Sequence, residues 1–298
     1  MLGTPIETHP QKNLVTSRNS PLPANAPQPG LWTETRGRGT RIVFLHGFTQ
    51  AGGSWNSVLR AFDDLSNNNS LNQENHHNSN SAEMILPDLP GHGRSANIAI
   101  GLDATADLLA NAFGPAVYVG YSMGGRVALH LAQRYPHLVR GLLLFGATPG
   151  LATEHERAQR RNADEILAQD LEATNVSTFL TRWLSSPLFA TLPHDPDDLA
   201  LRRQNTVEGL ASSLRLSGTG SQASLWDTLY TISAPTIVAA GDRDEKFTAI
   251  GQTMTERIKS NATFEVVADA GHACHLEQPQ QAATILASLL ALVDQTER

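Results

Sequence analysis

The 298 residues are 40% hydrophobic and 17% charged, which gives enough apolar material for a sizeable core and is too ordinary a balance for a fibrous or wholly disordered chain. A formal charge of −7 argues against a general nucleic-acid or anionic-membrane binder, and a single cysteine, Cys274, excludes an intrachain disulfide or a Cys-rich zinc site. No apolar run approaches ~18 residues and Met1–Lys12 lacks the apolar core of a secretory signal, so a cytoplasmic protein without membrane insertion is expected.

Residues 1–30, rich in Pro, Asn and Ser without an apolar period, read as a disordered extension. Short apolar runs bounded by Gly or Pro then alternate with segments of helical period. RIVFLHG (41–47) predicts a strand and 54–65 a helix. The tract Asp63–Ser81 has almost nothing to bury and predicts a polar surface loop; its His76 and His77 lack an acidic partner at fixed spacing and read as solvated. Strands follow at EMILPD (83–88), AVYVG (116–120) and GLLLFGA (141–147), with helices at about 103–112 and 124–134 between them. From 151 to 216 there is no strand candidate, which predicts a helical lid inserted into the α/β core of 31–150 and 217–298. Alternation resumes with helix 223–230, strand PTIVAAG (235–241), helix 247–259, strand TFEVVA (263–268) and helix 278–293. Several strands are apolar at consecutive positions, the mark of parallel strands covered on both faces, so the fold class is α/β with a doubly wound, mostly parallel sheet. No internal repeat is present.

One motif carries chemistry. Gly120-Tyr121-Ser122-Met123-Gly124 is a G-x-S-x-G turn directly after a buried strand and opening a helix, where small residues on either side let neighbouring backbone approach. A serine hydroxyl needs a base and a carboxylate downstream. Asp244 follows the strand 235–241 and His272 follows 263–268, both at carboxyl ends of strands, so His272 is expected to accept the Ser122 proton and Asp244 to orient the ring. Asp242 is the rival carboxylate and His275 the rival base, with a surface or packing role favoured for the latter; Cys274 reads as a small buried side chain. Backbone donors for a developing oxyanion are expected from Met123 and from Phe48 in the loop after the first core strand, which His46 braces.

The pieces LHGF, DLPGHGRS, GYSMGGR, GDRD and AGH, in this order, resemble the α/β-hydrolase superfamily over about residues 31–296. Arg126 after the paired glycines, ERAQRRNAD, WLSSPLF, LRRQNTVEGLASSLRLSGTGSQASLW and GDRDEKF narrow this to a resemblance to the menaquinone-pathway family of 2-succinyl-6-hydroxy-2,4-cyclohexadiene-1-carboxylate synthases, lyases that expel pyruvate from a polycarboxylate. The resemblance implies the triad Ser122, Asp244 and His272, with Tyr121, Arg126, Arg160, Trp183 and Arg202 contacting a small polycarboxylate substrate, and no metal or organic cofactor. Arg157 and Arg161 compete with Arg160, and Arg203 with Arg202; Gln222 and Trp226 mark the family without an assigned role. The alternatives are a serine hydrolase of an ester or carbon–carbon bond on the same machinery, and a non-catalytic binding module, which an intact triad disfavours. Oligomeric state is not legible.

Overall fold

The computed structural model describes residues 30–71 and 82–296, so nearly all of the expected extension and the later part of the tract 63–81, including His76 and His77, lie outside the described residues. Seven strands form one sheet: β1 (Thr33–Gly37), β2 (Thr40–Leu45), β3 (Ala82–Pro87), β4 (Ala116–Tyr121), β5 (Val139–Phe145), β6 (Thr236–Gly241) and β7 (Ala262–Val267), in the order β1-β3-β2-β4-β5-β6-β7. All neighbours are parallel except β1, which pairs antiparallel with β3.

The consecutive apolar residues of the central strands are explained by cover on both faces. Along β2, Val43 and Leu45 enter the cluster formed with α2 (Leu102–Phe113), α3 (Met123–Arg134) and α8 (Glu245–Ile258). Ile42 and Phe44 enter the opposite cluster, with α1 (Asn56–Leu71) and α10 (Pro279–Thr296). After β2 the chain turns to one side to make β3, then crosses back to make β4 on the other side. The loops leaving β2 and β4 therefore diverge and open a crevice at the carboxyl ends of these strands.

Between β5 and β6 the chain is helical: α4 (Glu154–Glu172), α5 (Val176–Leu184), α6 (Pro196–Arg202) and α7 (Val207–Ser217). The side chain before each first turn explains where each begins. Thr153, Asn175, Asp195 and Thr206 each accept a hydrogen bond from a backbone N–H of the helix that follows. Phe179, Leu171, Leu210 and Leu214 give these helices a small core of their own, and Phe48 of the β2 loop packs against it.

The structure corrects two local readings and adds a strand. The expected loop at 63–81 begins as helix, since α1 runs to Leu71: no Gly or Pro interrupts 56–71, and Val58, Leu59 and Phe62 anchor the helix to the sheet. The expected helix 223–230 is a 3₁₀ stretch, Trp226–Thr231. β1 was not legible, because TETRG has no apolar alternation; it is a polar edge strand whose backbone pairs with β3. Among the described residues, no helix is long and apolar enough to cross a membrane.

Leu144 sits in the middle of β5, fully buried between β4 and β6. Leu144→Ala is expected to lower unfolding free energy by about 2–5 kcal/mol through lost burial and a residual cavity, read from urea midpoints. Leu292→Ala, on the exposed side of α10, should stay within about 0.5 kcal/mol of wild type.

Candidate active site

Ser122 lies at the junction of β4 and α3 with φ 49° and ψ −105°, a left-handed backbone for a non-glycine residue. Its N–H donates to the Phe145 carbonyl at 2.9 Å and its carbonyl accepts from Arg126 N–H at 3.0 Å. The turn demands glycine on either side. A Cβ on Gly120 would lie 2.6 Å from the backbone of Gly124 and Gly125, and one on Gly124 would lie 2.0 Å from the Leu45 carbonyl oxygen.

The structure brings Ser122, His272 and Asp244 into one hydrogen-bonded chain. His272 Nδ1–H donates to Asp244 Oδ2 at 2.8 Å, which leaves Nε2 as an acceptor 3.4 Å from the Ser122 hydroxyl. Asp244 is held in turn, as the cap of α8: its Oδ1 accepts from Phe247 N–H at 3.1 Å. The Phe247 ring packs 4.4 Å from the imidazole. Asp242 instead accepts from Ala270 N–H and is exposed. His275 is fully buried, packed against Trp55, Tyr121 and Phe145, and burial holds its pKa well below the usual histidine range. It is a packing residue. Cys274 is buried and burial raises its thiol pKa, so it carries no thiolate at neutral pH.

The second wall of the crevice is the loop after β2. His46 Nε2 accepts from Leu89 N–H at 2.9 Å, so Nδ1 carries the proton and donates to the Gly47 carbonyl at 2.8 Å. This braces the loop against the segment following β3. His92 donates through Nδ1 to the Pro90 carbonyl and packs edge-on against His46 and Phe48. Burial lowers the pKa of His46 to about 4 and that of His92 to about 3, the proximity of His46 adding to the latter. Thr49 is tied to the helical segment: its carbonyl accepts from Asn205 Nδ2 at 2.7 Å and its hydroxyl from Arg202. Met123 is the first residue of α3, so its N–H has no acceptor within the helix.

A cavity above Ser122 is lined by all ten residues singled out from the sequence except Asp244, which stands behind His272. Their environments differ. Tyr121 is buried, and burial raises its hydroxyl pKa well above 10, so it stays protonated. Arg126 is buried with one long contact, Nη1 donating to Gln222 Oε1 at 3.4 Å; burial and the nearby Arg160 lower its pKa to about 10, which leaves it charged at pH 7. Arg160 Nε donates to Asp164 Oδ1 at 2.7 Å and Arg202 Nε to Asp198 Oδ2 at 2.6 Å. Arg157 and Arg161 pair with Glu154 instead, and neither lines the cavity. Trp183 stacks on Phe179 and meets Phe48 edge-on. Sequence reasoning missed Lys246 and Phe247 as lining residues, and Gln222 as the partner of Arg126. Lys246 and Phe247 were visible only as part of GDRDEKF, with no local signal of which way they face. Among the described residues no group of three potential metal ligands occurs.

The sequence profile of the alpha/beta hydrolase family matches residues 42–285. Similar relatives include the 2-succinyl-6-hydroxy-2,4-cyclohexadiene-1-carboxylate synthases of Salmonella paratyphi C (34% identical, covering 84% of this chain and 94% of the relative) and of Enterobacter sp. strain 638 (32%, covering 84% and 92%). Among solved structures, that of MenH from S. aureus superposes with a TM-score of 0.76 at 26% identity, covering 88% of this chain and 98% of that one. A thermophilic esterase from Thermogutta terrifontis, malate bound, has a TM-score of 0.71 at 24% identity, covers 88% and 93%, and shares the fold.

The two buried histidines make the loop acid-sensitive. In the unfolded chain both rings take a proton near pH 6.5, but in the folded chain only near pH 4 and 3, so the unfolded state binds more protons in that window and stability falls as pH drops. Urea unfolding at pH 7.5 and 4.5 should show a loss of about 2–3 kcal/mol from each ring. His92→Asn should flatten that slope; an unchanged slope would contradict the assignment.

Proposed function

We propose that this chain, which belongs to the alpha/beta hydrolase family and within it to the 2-succinyl-6-hydroxy-2,4-cyclohexadiene-1-carboxylate synthases, is a carbon–oxygen lyase. It eliminates pyruvate from 2-succinyl-5-enolpyruvyl-6-hydroxy-3-cyclohexene-1-carboxylate, in the cytoplasm, as a step of menaquinone biosynthesis. Ser122, His272 and Asp244 form the proton-transfer unit, the helical segment 151–216 acts as a lid, and no cofactor takes part.

One observation carries the choice of reaction. Arg126, one helical turn beyond Ser122 on α3, is buried in the cavity and forms no ion pair among the described residues. Asp164 acts on its charge without contacting it and is hydrogen-bonded to Arg160, so a ligand carboxylate is left to meet the buried guanidinium with two parallel hydrogen bonds. A hydrolase of neutral esters would gain nothing from this arrangement.

The chemistry follows from the substrate. The ring hydrogen at C2 lies beside the succinyl ketone and is the acidic one. His272 Nε2 draws the Ser122 hydroxyl proton, and Ser122 Oγ removes that hydrogen. The electron pair forms C2=C3, the C3=C4 pair moves to C4=C5, and the C5–O bond breaks. Enolpyruvate leaves and takes a proton on carbon to become pyruvate. Negative charge that gathers on the ketone oxygen meets the backbone N–H groups of Phe48 and Met123, in a setting where fixed donors need no reorganisation. Asp244 stabilises the imidazolium that forms. Tyr121 and Trp183 bound the ring, while Arg160 and Arg202 contribute positive potential tempered by Asp164 and Asp198.

Incubation with the pathway intermediate and detection of pyruvate tests the reading. Ser122→Ala and His272→Ala should each reduce turnover by about 10³-fold or more with unchanged melting temperature. Arg126→Ala should lower kcat/KM by roughly 30- to 1000-fold, equivalent to about 2–4 kcal/mol. A wild-type protein that hydrolyses a neutral aryl ester but releases no pyruvate would make the hydrolase reading the better one.

A further inference from the structure

Four cationic side chains line the cavity: Arg126, Arg160, Arg202 and Lys246. Two are already matched by an aspartate one helical turn away, Arg160 by Asp164 and Arg202 by Asp198. Arg126 and Lys246 form no ion pair among the described residues. The two unmatched cations belong to the two elements that carry the ends of the hydrogen-bonded chain. Arg126 follows Ser122 on α3, and Lys246 follows Asp244 on α8.

Helix energetics do not account for Lys246. It stands in the first turn of a 14-residue helix, the end at which the backbone dipole disfavours a cation. Its Nζ lies 5.6 Å from the centroid of the Phe247 ring, and that ring covers the His272 imidazole at 4.4 Å. Lys246 is therefore on the imidazole side of the cavity, exposed at its rim, whereas Arg126 is buried.

We propose that Lys246 binds the carboxylate of the departing three-carbon fragment, so that the substrate is gripped at two points, by Arg126 through a carboxylate that stays on the ring and by Lys246 through the one that leaves. The inference rests on the elimination reading. The two side chains suit these duties. A buried, planar guanidinium fixes a group in one orientation, while an ammonium on a flexible stem at the rim can follow a fragment out of the site. The cation also lowers the negative charge density on the leaving enolpyruvate without touching the oxygen that departs from C5.

Pyruvate itself is the probe, titrated by NMR against wild type, Lys246→Ala, Lys246→Arg and Arg126→Ala. Lys246→Ala should weaken pyruvate binding about tenfold or more, Lys246→Arg should restore it to within about threefold, and Arg126→Ala should weaken it less than Lys246→Ala does. With the intermediate as substrate, Lys246→Ala should raise KM more than it lowers kcat, and its melting temperature should not fall, since a cation leaves the wrong end of a helix. Pyruvate binding that is absent in wild type, equal in wild type and Lys246→Ala, or lost only in Arg126→Ala would overturn the proposal. Lys246-dependent pyruvate binding in a protein that releases no pyruvate from the intermediate would refute the elimination reading while leaving the carboxylate subsite standing.

Discussion

The backbone of Ser122 is the constraint from which the rest of the site follows. A serine at φ 49° costs on the order of 1–3 kcal/mol and persists only where its surroundings over-determine it. Here β4 is fixed on both sides, by β2 and β5, up to the turn, and the Ser122 N–H is bound to the Phe145 carbonyl. α3 is pressed so close to the end of β2 that nothing larger than glycine fits at position 124. That turn aims the hydroxyl at His272, leaves the Met123 N–H without a helical acceptor, and sends Arg126 into the cavity.

The strand order supplies the second half. Because the chain reverses direction across the sheet between β3 and β4, the loop after β2 faces the turn after β4 across a crevice, and this loop carries Phe48. Neutral His46 ties the loop to Leu89, while Arg202 and Asn205 tie Thr49 to the helical segment above. The loop that carries Phe48 is thus joined to α6 and the residues just after it by buried polar contacts. Arg202 serves this joint as well as the cavity, which explains why a guanidinium so fully buried is matched by Asp198.

Charge is divided in the same economical way. The helical segment carries many acidic residues, among them Glu154, Glu165, Asp170 and Glu172, and Arg157, Arg161, Arg182 and Arg215 are paired with these at the surface. The overall field of these helices is therefore acidic rather than basic. The cations that reach the cavity fall into two kinds: Arg160 and Arg202 carry a carboxylate of their own, while Arg126 and Lys246 form no ion pair among the described residues.

Much of this was legible in the sequence because the signals are local. Consecutive apolar residues announce β2 to β6, glycines at 120 and 124 announce the turn, and the positions of Asp244 and His272 just beyond strands announce where they meet Ser122. The polar β1 was invisible, since an edge strand held by backbone pairing has no side-chain period to display. The continuation of α1 into the Asn-rich tract was likewise hidden, because a tract with nothing to bury still extends a helix that is anchored upstream. The choice among neighbouring arginines, the partnership of Arg126 with Gln222 and the exposure of Lys246 to the cavity were decided by tertiary structure alone. Periodicity records which face of an element is buried, but whether a charge has a partner depends on what distant segments bring within a few ångströms of it, and no local pattern encodes that distance.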